Sequence, residues 1–156
     1  MKKILITALI IVSAISINYS QSYKTALGVR GGTFNGLTLK HFLGSNTAVE
    51  GILSTRWNGF KFTGLYELNN NTGTEGLDWY YGVGAHVGFW NGDHVAWGAS
   101  GKDYTVIGVD GIIGLEYTFN EFPINLSLDW KPVFDLVGNT GFGGDGFALS
   151  VRYTWK

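Results

Sequence analysis

The sequence of 156 residues contains no cysteine, and this absence removes several classes of structure at once. Without cysteine the chain forms no disulfide and no thiolate metal site, and it has no lipobox for the attachment of a lipid anchor. If the protein is exported, its folded part must therefore be stable without an oxidative cross-link.

A strong charge of either sign is also lacking. Eleven Lys and Arg residues stand against twelve Asp and Glu, which gives a formal net charge of −1. If Lys2 and Lys3 are removed with a signal peptide, nine basic residues remain against twelve acidic ones, and the net charge becomes −3 (9 − 12). Domains that bind nucleic acid carry a clear excess of basic residues. We therefore expect no nucleic-acid partner.

Proline is scarce, and long apolar runs are missing after the N-terminus. Two Pro accompany 24 Gly and an aromatic set of six Trp, eight Tyr and ten Phe. This composition is typical of many strands joined by glycine-containing turns. After residue 17 no apolar run approaches the roughly 20 residues that a spanning helix needs. If the folded part enters a bilayer, it must do so as a closed barrel, because lipid cannot satisfy unpaired backbone groups.

The N-terminus has the layout of a secretion signal. Lys2 and Lys3 precede an apolar stretch over residues 4–17, which is followed by small residues. We predict a signal peptide over residues 1–20, with Ser20 as the last residue removed, and one domain over residues 21–156. The alternative is a permanent anchor, but the apolar stretch is shorter than a spanning helix.

Apolar residues alternate with polar or small ones along the rest of the chain. In the last strand one face carries Phe147, Leu149, Val151, Tyr153 and Trp155, and the other carries Ala148, Ser150, Arg152 and Thr154. The same period of two predicts strands at residues 23–31, 37–43, 47–57, 60–68, 77–90, 105–119, 124–134 and 146–155. Loops are predicted at residues 31–36, 69–76, 91–104 and 137–145, and Asn58-Gly59 suits a two-residue hairpin.

Charge is concentrated on one face of these eight strands. That face carries Lys24, Arg30, Lys40, Glu50, Arg56, Lys61, Glu67, Asp78, Asp110, Glu116, Asp129, Lys131 and Arg152. An eight-stranded barrel has an interior just wide enough for side chains to fill. We expect these acids and bases to pair inside it, so that the apolar face meets lipid. The alternative is a soluble barrel with the charges in water and an apolar ligand inside.

Aromatic residues favour the lipid-facing alternative, because they collect near the strand ends. One group comprises Tyr23, Trp79, Tyr81, Tyr117, Phe119, Tyr153 and Trp155, and the other comprises Trp57, Phe60, Phe62, Phe89, Trp130 and Phe147. Two aromatic rings of this kind mark the two interfaces of a membrane.

Over residues 23–156 the chain resembles the small eight-stranded outer-membrane barrels of Gram-negative envelopes, which include OmpX-like proteins and OmpA-like transmembrane domains. The closing strand, with alternating apolar residues and a terminal aromatic, carries the resemblance, although Lys156 follows Trp155. The segment Leu128-Asp129-Trp130-Lys131-Pro132 is also similar. The resemblance implies an all-β, eight-stranded antiparallel up-and-down transmembrane β-barrel with both termini in the periplasm.

The resemblance also implies the location and the partners of the protein. We expect a monomer in the outer membrane, in contact with outer-membrane lipids and lipopolysaccharide. The assembly machinery of that membrane would recognise the C-terminal strand. The implied role is structural or one of surface interaction. The alternatives are a secreted soluble barrel that binds a small apolar ligand and a lipid A-modifying barrel enzyme.

Catalysis would have to involve one of three histidines. His86 lies on the charged face, with Asp110 on the next strand, and we expect it in the polar network. We expect His94, beside Asp93, to be solvated in a loop and His41 to be interfacial. None matches the His-x-Ser pattern of the barrel deacylases, so we predict no enzyme and no catalytic, cofactor-binding or metal-binding residue.

Five glycines on the charged face, Gly82, Gly84, Gly88, Gly108 and Gly114, would leave space inside the barrel. An eight-stranded barrel encloses too little space for an aqueous channel unless its interior is unusually empty. We expect instead that these glycines accommodate the bulky side chains of Tyr80 and Trp90.

Overall fold

The structure, a computed structural model, describes residues 23–56, 58–91, 102–138, 140–144 and 146–155. The strands are β1 Thr25–Gly32, β2 Asn35–Phe42, β3 Thr47–Arg56, β4 Gly59–Thr74, β5 Leu77–Asn91, β6 Asp103–Thr118, β7 Ile124–Trp130, β8 Val133–Val137, β9 Gly141–Gly143 and β10 Phe147–Trp155. None of the described residues belongs to a helix with the length and apolar character needed to cross a bilayer. The predicted signal over residues 1–20 lies outside the described residues, as does most of the predicted loop 91–104.

Eight of these strands close into an antiparallel barrel. Each strand from β1 to β6 pairs with the next along the chain, and β10 closes the ring by pairing with both β7 and β1. At this seam Thr25 lies opposite Trp155, and Gly32 lies opposite Ala148. The prediction of an all-β, eight-stranded antiparallel up-and-down barrel is confirmed.

Two further strands, β8 and β9, lie outside the ring and were not predicted as separate strands. β7 and β8 pair with the same edge of β6, one after the other. β7 pairs with residues 113–118 of β6, and β8 pairs with residues 107–110. Pro132 has no backbone N–H and separates the two strands, which divides the predicted strand 124–134. β9 folds back on β8 inside the predicted loop 137–145.

The predicted loop over residues 69–76 is wrong. β4 continues to Thr74 and β5 begins at Leu77, so the turn contains only Glu75 and Gly76. Gly76 has a φ of 79°, a conformation that glycine adopts without strain. The turn between β1 and β2 is also shorter than predicted and contains two residues, Thr33 and Phe34.

Charged side chains lie inside the barrel and apolar ones outside. Ten of the thirteen predicted inward charges are buried: Arg30, Lys40, Glu50, Lys61, Glu67, Asp110, Glu116, Asp129, Lys131 and Arg152. Arg56 and Asp78 are partly buried, whereas Lys24, next to the first described residue, is exposed, so its predicted inward position is wrong. Each of the eight ring strands exposes at least two large apolar side chains.

Glycines on the inner face make room for two large aromatic side chains, as predicted. A Cβ at Gly88 would lie 2.1 Å from Cζ3 of Trp90, and one at Gly114 would lie 2.8 Å from Cζ of Tyr80. Tyr80 packs in a small buried apolar group with Ile52, Leu65 and Ile112. The prediction is thus confirmed at Gly88 and Gly114. A Cβ at Gly82 or Gly84 would instead meet the backbone of β4 first, and one at Gly108 would meet β8 and His86.

Candidate functional site

The largest group of buried charges lies in the half of the barrel nearer to Trp155. The Glu116 cluster consists of Tyr23, Lys40, Glu50, Glu67, Asn69, Glu116 and Arg152, all buried. Oε2 of Glu116 lies 3.1 Å from Nζ of Lys40 and accepts a 3.1 Å hydrogen bond from the Tyr23 hydroxyl. Oε1 of Glu116 accepts a 2.6 Å hydrogen bond from the amide of Asn69. Tyr23 therefore belongs to the interior, and its predicted place in an outer aromatic ring is wrong.

Arg152 connects this cluster to three strands. Its Nη2 lies 2.6 Å from Oε1 of Glu50, on β3. Its Nη1 donates to Oδ1 of Asn125 at 3.0 Å and to Oγ of Ser127 at 2.9 Å, both on β7. Its Nε donates to Oγ1 of Thr38, on β2, at 3.4 Å, and the Thr38 hydroxyl in turn donates to the same oxygen of Glu50. A buried guanidinium needs several acceptors in fixed positions, and the inward residues of β3 and β7 supply them.

A second group crosses the middle of the barrel. Both terminal nitrogens of Arg30 donate to the two carboxylate oxygens of Asp129. The Tyr80 hydroxyl donates to Oδ2 of Asp129 at 2.9 Å. This two-pronged pairing is the strongest geometry between arginine and a carboxylate. Arg30 and Asp129 thus neutralise each other, and Tyr80 joins β5 to the pair.

The third group surrounds His86, in the half of the barrel nearer to the β8–β9 hairpin. Nδ1 of His86 lies 2.6 Å from Oδ2 of Asp110, as the sequence predicts, and Nζ of Lys131 lies 2.5 Å from Oδ1 of Asp110. Nε2 of His86 lies 2.9 Å from Oδ1 of Asp135, on β8, outside hydrogen-bond geometry. Gly108 permits this position, because a Cβ there would lie 2.6 Å from Cε1 of His86.

Carboxylates lie next to both ring nitrogens of His86. Nucleophilic catalysis needs a hydroxyl or thiol within hydrogen-bond reach of the base. In the part of the chain that the structure describes, the neighbours of both ring nitrogens are carboxylates. His86 is also only 3% exposed. From its position on β5, the imidazole therefore contacts side chains of both β6 and β8.

The other two histidines do not join this group. His41 is half-buried, and its Nδ1 lies 2.8 Å from Oγ1 of Thr25 on the neighbouring strand. His94 and Asp93 lie outside the described residues. Among the residues that the structure describes, no group of three His, Asp or Glu side chains could hold a metal ion.

A small crevice opens between the β1–β2 turn and the start of β10. Arg30 and Lys131 lie at its inner side, and Phe34 and Phe147 line it. Its volume is about 20 Å³. A cavity needs at least about 10–15 Å³ to hold one water, whereas ligand pockets measure about 300–1,000 Å³. The crevice has room for one water molecule and not for an organic ligand.

Sequence reasoning missed several members of these groups. Asn69 and Asp135 fell in or beside segments predicted as loops or strand ends, and Tyr23 was assigned to the exterior. Asn125 alternates correctly with the outward leucines of β7, so the period of two places it inside. Its role as the partner of Arg152 depends on a contact between β7 and β10.

Comparisons of this chain with protein-family models, with curated proteins and with solved structures found no match.

Proposed function

We propose that this protein is an integral outer-membrane β-barrel of a Gram-negative envelope, with a structural or surface-interaction role. Its apolar exterior contacts outer-membrane lipids and lipopolysaccharide, and its polar interior is filled by side chains. β10 carries the alternating apolar residues that the assembly machinery would recognise. The protein acts as a monomer, without a cofactor, and reaches the membrane through the N-terminal signal.

One observation carries this proposal, namely the inverted distribution of charged and apolar side chains around the whole ring. In water, buried charges and exposed apolar side chains both cost free energy. Here Val83 is 68% exposed and Leu128 is 57% exposed, while Arg152 and Lys40 are fully buried. Hydrocarbon around the barrel removes the cost of the apolar exterior, and the ion pairs reduce the cost of the charged interior.

The height of the apolar exterior supports the same proposal. On β6 the outward side chains from Ile107 to Tyr117 are each at least 39% exposed, apart from Gly111. They span ten residues, a strand length of about 33 Å. A strand tilt of about 40° reduces this length to about 25 Å along the barrel axis, which is the typical height of the apolar band of an outer-membrane barrel.

The alternative of a soluble barrel with an apolar ligand needs an apolar cavity, and the interior contains ion pairs instead. The alternative of a lipid A-modifying enzyme needs an activated nucleophile, and the neighbours of His86 are carboxylates. Both alternatives therefore have less support than a membrane barrel with a structural or surface-interaction role.

Detergent dependence tests the proposal. The full chain, produced with its signal in a Gram-negative host, should sediment with the outer membrane. After extraction, the folded barrel should migrate differently on gels before and after boiling. Denatured protein should refold in detergent micelles or lipid vesicles and should aggregate without them. A soluble, folded monomer obtained after signal removal in detergent-free buffer would contradict the proposal.

A further inference from the structure

The Glu116 cluster contains an unequal number of acidic and basic groups. Its acids are Glu50, Glu67 and Glu116, and its bases are Lys40 and Arg152. All five are at most 2% exposed. With every group ionised, the cluster would hold one uncompensated negative charge away from water. Such a charge is expensive, and a buried group usually becomes neutral instead.

The unpaired carboxyl oxygens of the cluster lie on two of its three glutamates, and Oδ1 of Asn69 is unpaired as well. Glu116 accepts from Tyr23, Lys40 and Asn69. In contrast, Oε2 of Glu50 and both carboxyl oxygens of Glu67 are buried without a hydrogen-bond partner. Nζ of Lys40 lies 3.0 Å from Oε2 of Glu67 but is not aligned to donate a hydrogen bond to it.

Glu50 and Glu67 also lie against each other. They occupy the inner faces of β3 and β4 at diagonal positions, since Glu50 pairs with Leu65 and Glu67 pairs with Ala48. Diagonal neighbours on one face of an antiparallel pair are within reach of each other when their side chains are long, as those of glutamate are. Two carboxylates cannot hydrogen-bond, because an ionised carboxylate only accepts. A single proton between them would turn one of the two into a donor.

The polar groups around this pair on the other strands supply no further unpaired positive charge. They include Thr38 and Lys40 on β2, Asn69 on β4, Asp78 and Tyr80 on β5, Glu116 on β6, Asn125 and Asp129 on β7, Arg30 on β1, Arg152 on β10, and Tyr23. Arg30 is neutralised by Asp129. Asp78 is half-buried and adds a negative charge, which increases the need for a positive one.

We propose that Glu50 and Glu67 form a proton-binding site, in which the folded barrel holds one proton shared between the two carboxyl groups at neutral pH. The protonated carboxyl donates its O–H to the ionised one, which provides a hydrogen-bond partner for oxygens that otherwise have none. The cluster then contains two negative and two positive charges and is neutral. This proposal depends on the barrel interior alone and holds whether or not the exterior meets lipid.

Infrared spectroscopy of the folded protein tests the site directly. The wild-type barrel at neutral pH should show the carbonyl stretch of a protonated carboxylic acid, and alkaline titration should remove it. Glu67→Gln should lack this band at neutral pH, because the glutamine amide donates to Glu50 without an extra proton. The control Glu75→Gln changes an exposed carboxylate in the β4–β5 turn and should keep the band.

Stability against pH gives a second readout. A folded state that binds one more proton than the unfolded state loses stability as pH rises. The folding equilibrium constant of the wild type should therefore fall up to about tenfold per pH unit on the alkaline side, until the site is ionised. Glu67→Gln should remove this part of the slope, and Glu75→Gln should preserve it.

Three results would overturn the proposal. The first is a wild-type spectrum at neutral pH without the acid band, which needs no variant to fold. The second is an acid band that persists in folded Glu67→Gln. The third is a band that is absent in sodium buffer and present when a bulky organic cation replaces sodium. In that case a metal cation, rather than a proton, neutralises the pair.

Discussion

At the scale of single residues, the interior is filled by combining large side chains with glycines that face them. Tyr80 lies over Gly114, and Trp90 lies over Gly59 and Gly88. The glycines matter here because their missing Cβ atoms provide space. The sequence contains this information only in part. Both the glycines and the aromatics fall on inward positions, but a period of two does not specify which pairs meet.

Gly114→Ala tests this complementarity. A Cβ at Gly114 would lie 2.6 Å from Cβ of Asp129 and 2.8 Å from Cζ of Tyr80, so neighbouring atoms must shift. We expect a loss of about 1–3 kcal/mol of stability, typical of overpacking. Denaturant unfolding of the refolded barrel measures it. Gly64→Ala is the matched control, since a Cβ there meets nothing within 4 Å. Equal losses in both variants would argue that strand glycines act through the backbone alone.

The charged residues illustrate the same limit of sequence reasoning. The alternation of apolar and polar residues predicts the inward position of ten of the thirteen charged residues correctly. It can do so because a strand has only two faces, and successive side chains point to opposite ones. The partners of each charge depend on the tilt and stagger of the closed barrel. Arg152 therefore pairs with Glu50, which is 102 residues away, and no local pattern indicates that pairing.

At the scale of secondary-structure elements, the predicted end of a strand is wrong where the strand continues past the residues that alternate between apolar and polar. Residues 69–74 are mainly Asn and Thr, and most are exposed, so they lack the alternation that identifies a strand. Pairing with β5 nevertheless continues through Asn71, and again at Thr74 after a register shift. The β8–β9 hairpin was missed for a different reason, because Pro132 and four glycines after it are typical of a loop.

Deletion of the β8–β9 hairpin tests whether the ring is complete without it. β7 and β10 pair directly, from Trp130 with Phe147 to Ile124 with Tyr153. The amide of Lys131 also donates to the carbonyl of Gly146 at 2.9 Å. Replacement of residues 133–145 by a short glycine-containing turn should therefore leave a folded barrel, measured by circular dichroism and gel migration. The control is a deletion of the same kind within β10, which should abolish folding. A hairpin deletion that also abolishes folding would make β8 and β9 part of the essential ring.

At the scale of the whole molecule, the exterior forms one apolar surface on all eight ring strands. If this surface meets hydrocarbon, a charge placed on it should cost more near its middle than at its edge. In water the position of the charge would matter little. Depth dependence therefore separates a membrane barrel from a soluble one.

Leu126→Arg measures this dependence. Leu126 lies on the outer side of β7, opposite Val151 of β10. Near the bilayer midplane an added arginine should impair insertion by about 2–4 kcal/mol, as measured by folding into lipid vesicles. Leu43→Arg is the control, because Leu43 is 62% exposed in the turn between β2 and β3, beyond the band. An unchanged insertion yield for Leu126→Arg would mean that the lipid-facing surface is assigned incorrectly.

The hydrogen bonds and ion pairs of the interior join segments that are far apart along the chain. Tyr23 reaches Glu116 across 93 residues, and Arg30 reaches Asp129 across 99. Hairpins that form early during folding hold only one member of each such pair. A partly assembled, open sheet would thus carry charged side chains on its concave face without partners of opposite charge. They would gain these partners only when the first and last strands pair. Closure of the barrel should consequently be a single concerted step, in which the seam between β1 and β10 and the interior network form together.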